Sequence, residues 1–278
     1  MTITIGHTSR NQPINLYYED AGEGQPIILI HGWPLNGRMW EHQVDFLVDN
    51  GYRVITYDRR GFGRSDKPWN GYDYDTLSDD LRAIISQLEL DDIVLVGFSM
   101  GGGEVARYMG KHKGEHVAKC AFISSIAPYL LQTEDNEHGV PEQVFEDIKH
   151  GIRKDRPAFF DQWSRNLVNY KKEGEGPVSG AAVHDVWCNA MLGQRKATLD
   201  CVDAFGKTDL RHDVRSIQVP TLFIHGDADQ IVPHEPTAVQ GHNMVSGSRL
   251  EIIKDGPHGC VLSHHKEVND ILTSFLKS

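Results

Sequence analysis

Apolar and polar positions fall into blocks along this chain, and the period changes from block to block in a regular way. Thr2–Gly6 and Asn15–Glu19 alternate with period two on either side of a polar turn, which predicts an antiparallel hairpin. Ile27-Ile28-Leu29-Ile30 is a short continuous apolar run, suited to a strand buried on both faces, and it leads into His31-Gly32-Trp33-Pro34. From Met39 to Val48 the apolar residues suit a helix that Asn50-Gly51 ends. Tyr52–Tyr57 reads as the next strand and Asp58–Ser65 as a loop. Asp75–Leu88 carries Leu77, Leu81, Ile84, Ile85 and Leu88 on one helical face. Ile93-Val94-Leu95-Val96 is again a buried strand, followed by a turn, a helix from Gly102 to about Gly110 and a strand at Val117–Ser124.

Strand and helix alternating through short connections predict an α/β fold, with a mostly parallel sheet and helices on both faces. Between Ala127 and Asp213 that rhythm lapses. Charged and aromatic residues mix without strand-like runs, which predicts several short helices inserted as a cap, with Lys171–Gly176 as its mobile loop. The rhythm resumes with a strand at Val219–His225, a helix near Glu235–Val245, a strand at Arg249–Ile253 and a closing helix from His264 to Leu276. The expected organisation is an α/β core over residues 1–126 and 214–278, interrupted by a helical cap over 127–213. A chain of 278 residues is ample for one such core.

Composition narrows the function classes. A formal net charge of -11 argues against nucleic acid and anionic membrane surfaces as partners. The four cysteines form no C-x-x-C pair and read as free thiols in a reducing compartment rather than as disulfides or a zinc site. The first residues alternate like a strand and lack a charged, then apolar, leader pattern, and no run approaches membrane-spanning length. The expected location is the cytoplasm.

The candidate chemistry lies where buried strands stop. Gly97-Phe98-Ser99-Met100-Gly101 follows a buried strand and precedes a helix, the context that a G-x-S-x-G nucleophile elbow requires. Its glycines relieve the crowding of a tight strand-to-helix turn, so Ser99 is the candidate nucleophile. A serine hydroxyl needs a base, and the base needs a group to hold its tautomer. Of 15 histidines, His258 sits in Gly256-Pro257-His258-Gly259 directly after the last strand, at the carboxyl edge of the sheet where ligands bind. His234, His242, His264 and His265 fall on predicted surface helices. After the strand Leu222–Gly226, two carboxylates compete. Asp227 suits a local turn, whereas Asp229 lies further out, with room to reach His258. The order Ser99, Asp229, His258 is that of one triad architecture and not of the other two. For the oxyanion, backbone N–H groups are expected from Met100 and Trp33. His31 reads as a strut for its loop, and Arg59, Arg60 and Arg64 as loop-stabilising ion pairs. Trp33, Met100, Ile231 and Val232 are expected to line a small apolar pocket, although Ile231 and Val232 suit loop anchors equally well.

Longer motifs carry a resemblance over almost the whole chain. They are His31–Pro34, Tyr57–Ser65, Gly71–Asp75, Gly97–Tyr108, Asp155–Phe159, His225–Asp229 and Gly256–Gly259. In these the sequence resembles the cofactor-free bacterial haloperoxidases (non-haem chloroperoxidases), an arylesterase-like branch of the α/β-hydrolase family. The resemblance implies the α/β-hydrolase fold, a triad of Ser99, Asp229 and His258, and neither metal nor haem. It implies hydrolysis of small activated or aryl esters, with lactones or γ-lactams as alternatives on the same triad. With hydrogen peroxide replacing water, such enzymes make peracids, which oxidise bromide or chloride. Pro34 is similar to the pattern of perhydrolase-competent members, where its fixed φ would shift the Trp33 carbonyl toward incoming peroxide. One departure is Gly102, where many relatives carry Thr or Ser; it is expected to loosen the helix start by roughly 1 kcal/mol relative to Ala. Ser99 speaks against haloalkane dehalogenases and epoxide hydrolases, which attack with aspartate. A slow-turnover ligand receptor on the same scaffold is the contrasting class, and steady turnover of an aryl acetate separates the two. The expected partners are a small ester, lactone or lactam, with hydrogen peroxide and halide, and neither nucleic acid nor membrane. Oligomeric state is left open.

Overall fold

The computed structural model describes residues 1–278. Its strands are β1 (Thr2–His7), β2 (Pro13–Ala21), β3 (Pro26–Ile30), β4 (Arg53–Tyr57), β5 (Ile93–Phe98), β6 (Val117–Ile123), β7 (Thr221–Gly226) and β8 (Arg249–Ile253). They form one sheet in the order β1-β2-β4-β3-β5-β6-β7-β8. The hairpin of β1 and β2 is antiparallel and joins the sheet through an antiparallel β2–β4 pairing, while β3 to β8 are all parallel. All six residues of β5 are buried, because helices cover both faces at the centre of the sheet.

The core helices are α1 (Glu41–Asp49), α2 (Tyr74–Gln87) and α3 (Met100–Lys111) in the first half of the chain. The Asp73 side chain caps α2 by accepting the Thr76 N–H at 2.9 Å. Leu77, Leu81, Ile84 and Ile85 bury the face that their spacing predicts. Between β6 and β7 lie α4 (Glu142–Leu167), α5 (Gly180–Met191), α6 (Arg195–Lys207) and α7 (Arg211–Arg215). Helix α4 is two shorter helices that meet at a kink, because the backbone of Asp155 leaves helical geometry, so the segment holds several short helices as the sequence predicts. Pro157 has no N–H to continue the helix. The Asp155 side chain accepts the Ala158 N–H at 3.1 Å and so restarts the helix with a cap where it would otherwise end. Lys171–Gly176 forms exposed turns.

After β7 the chain makes a π-helical turn at Glu235–Val239 and a short α8 (Gln240–Met244), where one continuous helix is expected. The chain closes with α9 (Cys260–Ser263) and α10 (His265–Leu276). Phe145, Phe160, Trp163 and Val186 from the helical insertion belong to the same apolar cluster as the strands, and Phe160, Trp163 and Phe205 meet Trp33 in the loop after β3. No helix is long and apolar enough to cross a membrane.

Candidate active site

Ser99 sits at the junction of β5 and α3 with φ 52° and ψ -119°. A side chain held there costs on the order of 1–3 kcal/mol, so the surrounding structure must fix it. The flanking glycines permit the approach that does so. A Cβ at Gly97 would lie 2.6 Å from the Gly101 backbone, and one at Gly101 would lie 2.3 Å from the Ile30 carbonyl oxygen. The Ser99 N–H is tied to the Ile123 carbonyl at 2.9 Å.

His258 and Asp229 arrive on two loops that are bonded to each other. The Ala228 N–H, beside Asp229, donates to the Gly256 carbonyl at 3.0 Å. In that frame the Ser99 hydroxyl lies 2.9 Å from His258 Nε2, and His258 Nδ1 lies 2.7 Å from Asp229 Oδ2. Asp229 Oδ1 accepts the Ile231 and Val232 N–H groups, both at 2.8 Å. These bonds leave one arrangement of protons: Nδ1–H donates to the carboxylate, and Nε2 offers a lone pair to the serine hydroxyl. Burial pushes the Asp229 carboxyl up, but the imidazoles of His258 and His225 outweigh it and hold the group well below the usual carboxylate range. Asp227, the competing carboxylate, is exposed.

His225 is the residue that sequence reasoning passed over. It is fully buried at the end of β7, with Nε2 3.0 Å from both Asp229 Oδ2 and the Val232 carbonyl. Two acceptors at one nitrogen require that nitrogen to carry the proton, which leaves Nδ1 buried without a partner. Its sequence signal was present but ambiguous: a histidine closing a buried strand four residues before the acid.

The backbone N–H groups of Trp33 and Met100 find no hydrogen-bond partner within the protein. Met100 opens α3, so its own N–H has no helical partner and lies at the positive end of the helix dipole. The Trp33 loop is held from below. His31 is fully buried, its Nε2 accepts the Arg59 N–H at 2.9 Å, and its Nδ1–H donates to the Gly32 carbonyl at 2.8 Å. Burial, with the Arg59 charge, keeps it well below the usual histidine range and therefore neutral. Arg59 pairs with buried Glu104, which also accepts the Tyr57 hydroxyl at 2.6 Å, and Arg60 pairs with Asp80 at 2.5 Å. Arg64 meets Glu19 at 3.3 Å on the surface.

A cavity of about 260 Å³ opens over Ser99 and His258. Trp33, Ile231 and Val232 line it, and helices α4 and α6 supply the roof with Phe145, Phe159 and Phe205. Met100 does not line it, which corrects the sequence reading. The elbow that lifts Ser99 into the site turns the next side chain into the core, where Met100 is fully buried. At Gly102 a Cβ would lie 2.1 Å from Ser125 Oγ. In this chain Ser125 occupies the space that a side chain at residue 102 would need.

Each loop of the site is fastened to the helical insertion above by one bond. The Trp33 indole N–H donates to the Thr198 carbonyl at 3.0 Å. Gly259 N–H, beside His258, reaches the Leu167 carbonyl at 2.6 Å. Asn169 Nδ2 donates to the Ala228 carbonyl at 2.9 Å.

No group of three or more His, Cys, Asp and Glu side chains is disposed to hold a metal ion. All four cysteines are free; burial pushes the thiols of Cys120, Cys201 and Cys260 up to about 12.

Comparison with known proteins places this arrangement. The family described as alpha/beta hydrolase fold matches residues 25–264. The chain is 39% identical to a non-haem haloperoxidase of Rhodococcus erythropolis, over 95% of this chain and 96% of that protein. It is 34% identical to a bifunctional esterase/perhydrolase of Acinetobacter calcoaceticus, over 99% of this chain and 100% of that one. The crystal structure of a bromoperoxidase from Bacillus anthracis superposes with a TM-score of 0.95 at 45% identity, covering 100% of this chain and 99% of that one. With a matched fold, a full-length likeness to these proteins and a buried Ser–His–Asp chain at a cavity, this protein belongs to the α/β-hydrolase family, in its non-haem haloperoxidase branch, and is an enzyme.

Proposed function

We propose that this enzyme transfers the acyl group of small carboxylic esters, aryl esters among them, through an acyl-Ser99 intermediate to water or to hydrogen peroxide. The observation that carries the reading is the unbroken proton path Ser99–His258–Asp229, with separations of 2.9 and 2.7 Å, beneath a small cavity. Ser99 Oγ attacks the ester carbonyl while its proton passes to His258 Nε2, and Asp229 stabilises the resulting imidazolium. The Trp33 and Met100 N–H groups receive the developing oxyanion, each contributing roughly 3 kcal/mol to the barrier reduction. His258 then returns the proton to the departing alkoxide, leaving acyl-Ser99. In the second half His258 deprotonates water, which yields the acid, or hydrogen peroxide, which yields the peracid. A released peracid oxidises a halide ion by two electrons: with one proton, it gives the hypohalous acid and the carboxylic acid. A lactone or γ-lactam follows the same path with its leaving group tethered.

Support also comes from the Acinetobacter calcoaceticus relative, whose name couples esterase with perhydrolase. Residues 127–213 act in this reading as the cap over the site, and the cytoplasm is the proposed location, where four free thiols stay reduced. The test is a panel of aryl and alkyl esters, lactones and γ-lactams, with and without peroxide and bromide. Multiple turnover of aryl acetates, abolished in Ser99→Ala, is expected, together with peroxide-dependent bromination of an indicator dye. Full activity in Ser99→Ala would end this reading. The ratio of perhydrolysis to hydrolysis should fall in Pro34→Leu; an unchanged ratio removes Pro34 from the peroxide step.

A further inference from the structure

We infer that the substrate arm housed in the cavity is an uncharged apolar chain, and that Gly206, which does not itself line the cavity, sets the length of that chain by seating Phe145. The inference rests on the serine-hydrolase reading above and deepens it.

The lining decides the class of the arm. Apart from Ser99 and His258, the polar side chains on the wall are Gln162, Asn166 and Gln230; no Lys, Arg, Asp or Glu reaches it. A chain ending in a carboxylate would lose its hydration there with no cation to replace it.

Phe145 decides the length. It is buried on the first half of α4 and forms part of the roof. Its ring lies flat on α6 at Gly206. A Cβ at that position would sit 2.8, 2.9 and 3.0 Å from the ring atoms Cδ1, Cγ and Cε1. Three neighbouring ring atoms at nearly equal distance mean that the face of the ring, and not a flexible tip, fills the space a side chain would occupy. The ring has two ways to yield. Helix α4 can back away from α6, or the ring can move forward into the cavity.

Ion pairs on both sides of the contact oppose the first route. Lys149 of α4 meets Asp203 of α6 at 2.9 Å, and Lys207 of α6 meets Glu142 of α4 at 2.8 Å. The second route is open, because the space in front of the ring is the cavity itself. A methyl group at residue 206 therefore reappears as lost chain length on the far side of Phe145. A second wall residue is seated in the same way. A Cβ at Gly151 would lie 2.6 Å from Phe159 Cδ2, a contact that the bend of α4 at Asp155 makes.

The test reads the length limit and not activity alone. Two ester series are measured, p-nitrophenyl esters from acetate to octanoate and acetates of alcohols from methanol to hexanol, with wild type and Gly206→Ala. In the series whose variable arm lies under Phe145, Gly206→Ala should reach its limit one to two carbons earlier. There kcat/KM should fall roughly fourfold for each methylene displaced, while the shortest ester is turned over as before. Gly206→Ala combined with Phe145→Leu should restore the wild-type limit. A uniform change across both series would overturn the inference. If Gly206→Ala does not fold, Phe145→Leu alone should extend the same series by a similar step, and an unmoved limit overturns it equally. An ester whose arm ends in a carboxylate should react at least roughly tenfold more slowly than its uncharged counterpart of equal length; equal rates contradict the neutral cavity. Ester turnover that survives Ser99→Ala removes the serine reading itself. A limit indifferent to residues 206 and 145, with Ser99→Ala inactive, removes only the seat.

Discussion

Replacing Asp229 by asparagine is the most searching perturbation, because four donors converge on its two oxygens. Oδ1 accepts two backbone N–H groups and Oδ2 accepts from His258 and His225. An asparagine offers one oxygen and one NH₂. With the NH₂ in place of Oδ1, it confronts two backbone donors that cannot turn away. With the NH₂ in place of Oδ2, it confronts two imidazole nitrogens, and each must give up its proton to accept. His225 gives it up at the cost of its bond to the Val232 carbonyl. His258 gives it up by moving the proton to Nε2, where it can no longer serve Ser99 as a base. The second arrangement is the cheaper, and it disables the proposed mechanism. We expect kcat/KM for p-nitrophenyl acetate to fall on the order of 10⁴-fold, the scale of a base held in the wrong tautomer. Losing bonds to a buried charge costs roughly 2–4 kcal/mol of stability. The sign of the pH dependence follows from the depressed carboxyl of Asp229. Its stabilising contribution is complete above the unfolded value near pH 4 and is lost as pH falls through the lower folded value. The difference in Tm between wild type and Asp229→Asn should accordingly hold from pH 7 to about 5 and shrink below 4. A variant within tenfold of wild type, or a Tm difference that grows in acid, would refute the reasoning. Asp227→Asn, at an exposed position, is the control and should be nearly silent.

Three further outcomes are expected. His225→Leu removes one donor from Asp229 and strands the Val232 carbonyl, so kcat/KM should drop roughly tenfold and stability by about 2 kcal/mol. In an Asp229→Asn background its further effect on rate should nearly vanish, and independent, multiplicative effects would deny that the two act together. Gly101→Ala should destabilise by roughly 3 kcal/mol or more and abolish esterase activity, because the new methyl meets the Ile30 backbone and not a flexible side chain; a near-native melt would contradict the packing. A thiol reagent should label Cys188 alone in the native enzyme and all four cysteines in denaturant, since the other three are buried; rapid native labelling of a second thiol would overturn that.

How far the sequence discloses the site depends on what each residue needs from its surroundings. Ser99 is legible because glycines at 97 and 101 are a local steric demand that leaves a local pattern. His258 and Asp229 are legible because both follow buried strands, and strand ends converge on one rim of a parallel sheet. His225 is not, since its part is defined by a carboxylate and a carbonyl on a loop whose path no periodicity fixes. Met100 shows the opposite limit: its backbone position follows from the motif, but the direction of its side chain depends on how α3 packs. The way the two halves of α4 join was hidden for a related reason. Asp155-Arg156-Pro157-Ala158 carries a stop signal and a start signal at once, and only the Asp155 cap decides that the helix resumes. Gly102 and Gly206 look alike in sequence, as weak points of helices, yet each faces a neighbour contributed by a distant element.

The three single bonds from the site loops to Thr198, Leu167 and Asn169 have a mechanical consequence. A lid that swung wide on a hinge would tug at once on the tryptophan beside the oxyanion, the backbone beside the imidazole and the backbone beside the carboxylate. Admission and chemistry would then exclude each other on every cycle. Any opening of the roof would have to break these bonds and re-form them before the next attack, so broad substrates that force it open should react more slowly than slender ones of equal carbonyl reactivity.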